Sequence, residues 1–386
     1  MAITLTPDAL ARVAYATYTG VYNRRQPYMV DRRQMPFLSF LMKHEDTAPL
    51  AGANGVIVKQ KIYGGLDIQA WERKDPLLFA EQDFELETQF PWSNIHMGSE
   101  VVHDDIEAMG FIVLPNQPRG KNFAKPDSES DTYKLVDWVQ HMIEDMMDSF
   151  DIKSDQLLLR DNSSNPKMPQ GFDAFWPIGS CPGMVSDGDG TRGYYNLGTF
   201  GGKSRSAYPD ALQHFVWFGA TYGAGGSIRK ALTVARREAE LRSRGRTKSG
   251  IKYIMAGAGA IDRYVAFATK NNTNYTTSYI GLKPEGNSRL DIGIPDTGLH
   301  FEGIPIIHNP TFELLDQLDA PTIPWTNRMV LCDPDTLRLA FAPGKKKFFS
   351  APMDEGDVRV TRLSLDSKLS LLPLVANGNA IVAFAA

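Results

Sequence analysis

The sequence predicts an α+β fold, and three observations carry that prediction. Residues 84–90 alternate apolar and polar with period two, a helical stripe runs for about 28 residues from Asp131, and the C-terminal part breaks into short apolar segments separated by turn residues. With 386 residues, 42% hydrophobic and 22% charged, the chain has a globular composition and enough apolar surface for a large core. Its 41 basic and 45 acidic side chains nearly cancel, which argues against a dedicated nucleic-acid binder. The longest uncharged stretch, 369–386, is broken by Pro373, Asn377, Gly378 and Asn379, so no membrane span and no membrane partner are expected. The N-terminal MAITLTPDALARV lacks the basic start and apolar run of a secretory signal. A reducing cytoplasm is therefore the expected folding compartment, with Cys181 and Cys332 as thiols.

Taken in order, the chain opens with an arm over 1–54. A short helix is expected from Pro7 to Tyr18, after which periodicity is lost across Gly20, Pro27, Pro36 and Pro49. The pairs Arg24, Arg25 and Arg32, Arg33 stand beside Tyr22, Tyr28, Phe37, Phe40 and Leu41, a mixture suited to lying across another surface; wrapping on its own domain would use the same residues. Over 55–95 a long hairpin is expected. Val56, Val58 and Ile62 belong to one strand, and Phe84, Leu86, Thr88 and Phe90 alternate with Glu85, Glu87 and Gln89 on the other. The intervening 64–82 is too long for an idle loop in a compact domain, so it is expected to project. Trp71 near its tip, followed by Glu72, Arg73 and Lys74, would suit an interface; the alternative is a Trp folded back on its own domain.

The long helix is expected to start from an Asp131 cap, with Leu135, Trp138, Val139, Met142, Met146 and Phe150 as its core stripe. A Gly-rich region, 171–226, leads to a second helix from Ser227 with Ile228, Ala231, Leu232, Ala235 and Ala239 inward and Gly245 as its stop. Strands are expected at IKYIMAG, GIPIIHN, Met329–Leu331, Val358–Leu365, Leu369–Val375 and Ala380–Phe384.

The chemical motifs in the sequence fall short of their requirements. GTFGGKS at Gly198–Ser204 has one residue too few for a phosphate-cradling loop, and Pro209 interrupts the helix that should follow. GSCPG outlines a nucleophile elbow, but Pro182 has no N–H to offer an oxyanion, so Cys181 is read as inert. DGDGTRG fails as a calcium loop because Arg192 and Gly198 stand where Gly and Glu are needed. His96 and His103, with Asp104, Asp105 and Glu107, allow a metal-dependent hydrolase or nuclease as the alternative function. Arg229 to Lys248 holds eight basic and two acidic residues, read as a solvated helix face pairing with acids of a neighbouring copy; phosphate binding is the competing reading. Lys345, Lys346 and Lys347 are read as an exposed turn. No catalytic residue, metal ligand or cofactor is assigned.

Arm, projecting hairpin, long helix, central α/β body and terminal strands come in an order that resembles the tailed-bacteriophage major capsid proteins of the Hong Kong 97-like family. The most similar passages are FPWSNIHMGSEVVHDDIEAMG, FGGKSRSAYPDALQHFVWF, IKYIMAGAGAIDRYVAF, FEGIPIIHNP and VRVTRLSLDSKLSLLPLVANGNAIVAF. The resemblance implies an N-terminal arm (1–54), an extended loop (55–95), a peripheral domain with a spine helix (96–165 and 327–372), an axial domain (166–326) and a C-terminal tail joining it (373–386). It implies a non-enzymatic subunit that assembles with itself into hexamers and pentamers of an icosahedral head, in the virion, after assembly in the host bacterial cytoplasm. Arg24, Arg25, Arg32, Arg33, Trp71, Glu72, Arg73 and Lys74 are the expected inter-subunit contacts. Expected partners are a separate scaffolding protein, since the chain begins almost directly with its arm, a portal protein, packaged double-stranded DNA without sequence specificity, and in some particles a decoration protein. Some relatives join subunits by Lys–Asn bonds. Lys59, Lys61 and Lys74 could supply amines, but no Asn occurs from Arg328 to Ala376, so non-covalent contacts are expected to hold the shell.

Overall fold

The computed structural model describes residues 3–5, 35–47, 55–61, 85–102, 111–113, 129–163, 165–187, 190–220, 228–243, 250–271, 299–319, 321–354 and 360–384. The first elements are β1 (Ile3–Leu5), α1 (Pro36–Lys43), β2 (Glu45–Thr47), β3 (Gly55–Lys61), β4 (Glu85–Pro91), β5 (Ser93–Val102), β6 (Phe111–Val113), α2 (Glu129–Leu159) and α3 (Phe172–Phe175). Next come β7 (Val185–Asp187), β8 (Gly190–Tyr195), β9 (Thr199–Phe200), β10 (Lys203–Ser204), α4 (Pro209–Leu212), β11 (His214–Ala220), α5 (Ile228–Ser243), β12 (Tyr253–Ala256) and α6 (Ala258–Asn271). The chain ends with β13 (His300–Phe301), β14 (Ile304–His308), α7 (Thr311–Asp319), β15 (Arg328–Cys332), β16 (Leu337–Phe341), β17 (Phe348–Asp354), β18 (Val360–Pro373) and β19 (Ala380–Phe384). Two compact units result: one contains Ser93–Ser154 and Phe341–Leu369, the other Arg32–Trp92, Asp155–Ala340 and Ser370–Ala386.

The second unit is built on an eight-stranded mixed sheet in the order β13-β14-β12-β15-β19-β11-β8-β7. Its central strands, YIMA, RMVLC and AIVAF, are buried at every residue, as strands covered on both faces must be. Helix α5 buries the predicted stripe of Ile228, Ala231, Leu232, Ala235 and Ala239 with β11 and β19 residues Phe215, Trp217, Ala380 and Val382. Three alanines let its backbone approach the sheet closely. Helix α6, which the strand-like reading of IKYIMAG did not extend to, adds Ala260 and Tyr264 to the same core. It begins beside Gly257, where a Cβ would lie 2.4 Å from the Thr326 Cα, so only glycine fits this close backbone approach.

Two buried polar residues brace this unit. Arg205 donates to the carbonyls of Leu212 (2.7 Å) and Phe175 (2.6 Å), and burial pushes its pKa down to about 10. His214 is fully buried; its Nε2–H donates to the Pro177 carbonyl at 3.0 Å while Nδ1 faces the Arg205 guanidinium. Burial, then the Arg205 charge, holds its pKa well below the ordinary 6.5. The sign follows: below pH 6.5 the unfolded chain binds a proton that the folded ring refuses, so stability falls as pH drops. The expected loss is about 1.4 kcal/mol per pH unit while the folded ring stays neutral, or about 2 kcal/mol at pH 5. Urea denaturation midpoints from pH 7.5 to 5 should show this slope, and His214→Gln should flatten it; an unchanged slope in that variant would refute the assignment.

The first unit combines α2 with a sheet of β5, β18 and β17. Strand β18 pairs with β5 in antiparallel register from Val360↔Val102 to Leu369↔Ser93. The two strands expected at Val358–Leu365 and Leu369–Val375 are one continuous strand. Asp366-Ser367-Lys368 does not break it, because Asp366 pairs with His96 and the Ser367 hydroxyl donates to the Lys346 carbonyl at 2.6 Å. Helix α2 starts two residues before the expected cap and buries Ile143, Met146 and Phe150. The side chains of Leu135, Trp138 and Val139 lie outside the described residues.

Candidate assembly surfaces

The hairpin β3–β4 pairs in antiparallel register from Gly55↔Pro91 to Lys61↔Glu85. Its outer face carries Lys59 between Glu87 (3.1 Å) and Glu85 (3.4 Å), whose hydrogen bonds and charges raise the lysine pKa. An ammonium held this way is a poor nucleophile. Its inner face buries Val56, Gln60, Leu86, Thr88 and Phe90. Phe90 meets Phe175 and Phe200 edge-on at 5.4 and 5.7 Å. The β9–β10 turn closes on the same strand: the Gln89 N–H donates to the Gly201 carbonyl at 3.1 Å. Gly201 has φ 54°, and a Cβ there would lie 2.5 Å from Thr88 Cβ, so both conformation and contact demand glycine. The GTFGGKS segment is therefore a tight hairpin that fastens the base of β3–β4.

Another surface lies at the β7 edge of the large sheet. A depression of about 400 Å³ is lined by Pro182, Val185, Arg192, Phe215, Val234, Arg237 and Glu238 among others. Tyr194 on its wall donates to Glu238 at 2.6 Å and lies under the Arg242 guanidinium, and burial raises its pKa to about 12. Val185 is 59% exposed on the edge strand, and Leu241 is 47% exposed on α5. Val234, Arg237 and Leu241 follow i, i+3, i+7 spacing and share one helix face. Near the opposite edge, α7 buries Phe312 and Leu315 but leaves Leu314 41% and Leu318 56% exposed, one turn apart.

The expected contact residues Arg24, Arg25, Arg32, Arg33, Trp71, Glu72, Arg73 and Lys74 lie outside the described residues, as do the Pro7–Tyr18 helix, Lys74 as an amine donor and His103. His96 is exposed and holds Asp366 at 2.6 Å across β5 and β18. Among the described residues no group of three or more His, Cys, Asp or Glu side chains could hold a metal ion. Cys181 is buried with its thiol on the Tyr194 carbonyl; Cys332 is buried and its pKa is raised by desolvation. Of the DGDGTRG segment, Asp187 ends β7 and Gly190 begins β8, paired with each other in antiparallel register. The basic helix face corrects one expectation: Arg236 pairs with Glu240 and Glu302, Arg237 with Glu238, and Arg242 with Asp210, all in its own chain. Packing brings these acids within reach without a neighbour. Lys347 likewise is not an exposed turn residue, because it pairs with Asp151 at 2.5 Å and lies over Phe150. The sequence signal for the α7 surface was present in FELLDQLD, where leucines occupy two helix faces.

No helix among the described residues is long and apolar enough to cross a membrane. No family model matches the chain, and no curated protein does. Solved structures do match. A chain of the cyanophage A-1(L) capsid asymmetric unit is 15% identical, with 93% of this chain and 94% of that one covered at a TM-score of 0.55. The capsid of a native GTA particle matches at 10% identity over 90% and 91% of the two chains, TM-score 0.48. The SrpI encapsulin of Synechococcus elongatus PCC 7942 matches at 11% identity over 96% and 94%, TM-score 0.45. The fold assignment rests on the first of these, which spans nearly the whole of both chains. The chain has the fold of phage capsid proteins, the Hong Kong 97-like architecture that the order of its segments implied.

Proposed function

We propose that the chain is the major capsid protein of a tailed bacteriophage, assembling as hexamers and pentamers into an icosahedral head around double-stranded DNA. The observation that carries this reading is the fold shared end to end with the cyanophage capsid chain. The fastened base of β3–β4 supports it, since a projecting segment transmits force between subunits only when its root is rigid. In this reading the segment between those strands, with Trp71, Glu72, Arg73 and Lys74, reaches a neighbour, and so does the arm with Arg24, Arg25, Arg32 and Arg33. Residues 96–165 and 327–372 form the peripheral domain, and 166–326 with 373–386 the axial domain. Each copy then makes several modest contacts, and closure of a shell makes them simultaneous. The subunit has no catalytic role, assembles in the host cytoplasm with a scaffolding and a portal protein, and ends in the virion.

Electron microscopy and sedimentation of the expressed chain test the reading. Closed shells, or free hexamers and pentamers, are expected. A monomer at all concentrations with metal-dependent nuclease turnover would overturn it. Trp71→Ala should lower the yield of shells about tenfold, the effect of losing an interface anchor worth about 1.4 kcal/mol, while the subunit stays folded. Normal heads from that variant would exclude the loop tip as an anchor.

A further inference from the structure

We propose that the open face of the β5–β18–β17 sheet is a contact surface for the phosphates of double-stranded DNA, with Lys345 and Lys368 as its two cations. The proposal rests on the capsid reading above for its partner and names the side chains that touch the packaged duplex.

The lysine run after Gly344 divides in the fold. Lys347 pairs with Asp151, and Lys346 lies over Phe341 at 5.6 Å. Lys345 turns elsewhere: its ammonium stands 4.4 Å from the centre of the Phe348 ring, and Phe348 is 44% exposed. Phe348 is opposite Asp366 in the β17–β18 register, so Lys345 is carried on the face that Asp366 occupies. Lys368 lies two residues along β18 from Asp366, on the same face, and its N–H donates to the Lys345 carbonyl at 3.0 Å. The two lysines therefore meet at one end of the face.

Elsewhere on this face the polar groups are matched across strands. His96 holds Asp366, and Arg362 holds Glu100 at 2.9 Å; the His96, Glu100 and Arg362 side chains are 65%, 59% and 48% exposed, so the face is open to solvent. Neither Lys345 nor Lys368 has a carboxylate partner among the described residues. A ring beneath an ammonium orients it without neutralising it. At the centre of the face Gly98 is opposite Ser364, so no large side chain interrupts it. An uninterrupted face with two unneutralised point charges suits a duplex, which presents one phosphate charge per about 1.7 Å of axis whatever its sequence. Two phosphate contacts per copy are weak alone and add up over many copies.

The test is fluorescence anisotropy of a labelled duplex of about 30 bp with the soluble full chain, titrated from about 20 to 200 mM salt. Lys345→Gln with Lys368→Gln should weaken binding about tenfold at the lowest salt and reduce the slope of log K against log salt by about two, with an unchanged melting temperature. Lys203→Gln with Lys252→Gln, which removes two exposed lysines from other elements, should leave the slope unchanged. No duplex binding by the wild type, an unchanged slope in the first variant, or an equal loss in the second would each overturn the proposal. Polyglutamate bound as tightly as the duplex would assign the face to an acidic protein and overturn it too. Particle formation is scored separately: wild-type shells with an unchanged slope in the first variant defeat this proposal alone, whereas a wild type that binds duplex through these lysines but never assembles defeats the capsid reading.

Discussion

Asp155→Ala is expected to destabilise the second unit by about 3–5 kcal/mol, because it removes a buried acceptor from donors that cannot reach water. Asp155 lies in the last turn of α2 and is fully buried. Its Oδ1 accepts the Leu38 N–H at 2.8 Å, and its Oδ2 accepts the Thr311 hydroxyl. Leu38 is in the first turn of α1, whose own N-cap, Met35, has no side-chain oxygen to offer. A carboxylate more than a hundred residues away in sequence therefore caps that helix and complements its dipole. The same carboxylate fixes the first residue of α7. Asp155→Asn keeps one acceptor oxygen, and the Thr311 hydroxyl can turn to accept from the new amide; its cost should be about 1 kcal/mol. Urea denaturation of the soluble subunit measures both, and equal midpoints for Ala and Asn would show that the hydrogen bonds do not carry the effect.

Trp176→Ala should cost a similar amount, about 3–5 kcal/mol, through the cavity it leaves. The indole is fully buried, stacked on Phe172 at 4.7 Å and edge-on to Phe175, and its N–H donates to the Ala376 carbonyl at 2.7 Å. It joins the segment after α2 to the C-terminal segment, and Phe175 continues the aromatic group to Phe90 at the root of the hairpin. Trp176→Phe retains most of the ring and loses the hydrogen bond, so about 1–2 kcal/mol is expected. Thermal unfolding should show a drop of about 10 °C for the alanine variant and a few degrees for phenylalanine. A drop of only a few degrees for alanine would mean that the site collapses around the void.

Legibility in the sequence varied with the kind of signal. Strand β4 was readable because Leu86, Thr88 and Phe90 alternate with exposed residues, and α5 because its stripe repeats over four turns. Helix α1 is hidden in the sequence because Pro36 reads as a break, although at the first helical position its absent N–H costs nothing. Helix α6 is hidden in the sequence because Gly257 and Gly259 look like turn residues, while the first admits the Thr326 backbone and the second the Asn327 side chain. The unity of β18 was hidden by Asp366 and Lys368, which are polar on the face that permits it. Of the exposed apolar surfaces, the leucine ridge of α7 can be found by helical spacing alone. The depression opposite could not, since its walls come from residues 182–196, 213–215 and 234–238, which only the sheet brings together.

The amino-acid sequence by itself determined the class of fold, the inward faces of the long helices and the order of segments that resembles a capsid subunit. Those properties are local: residues two or four apart share a face, and burial of that face is decided by their own polarity. Only the tertiary structure decided that β12, β15, β19 and β11 are neighbours, that Asp155 caps α1, and that the arginines of α5 find acids in their own chain. Such pairings depend on which distant segments fit together after the intervening loops close, and periodicity carries no information about a partner a hundred residues away.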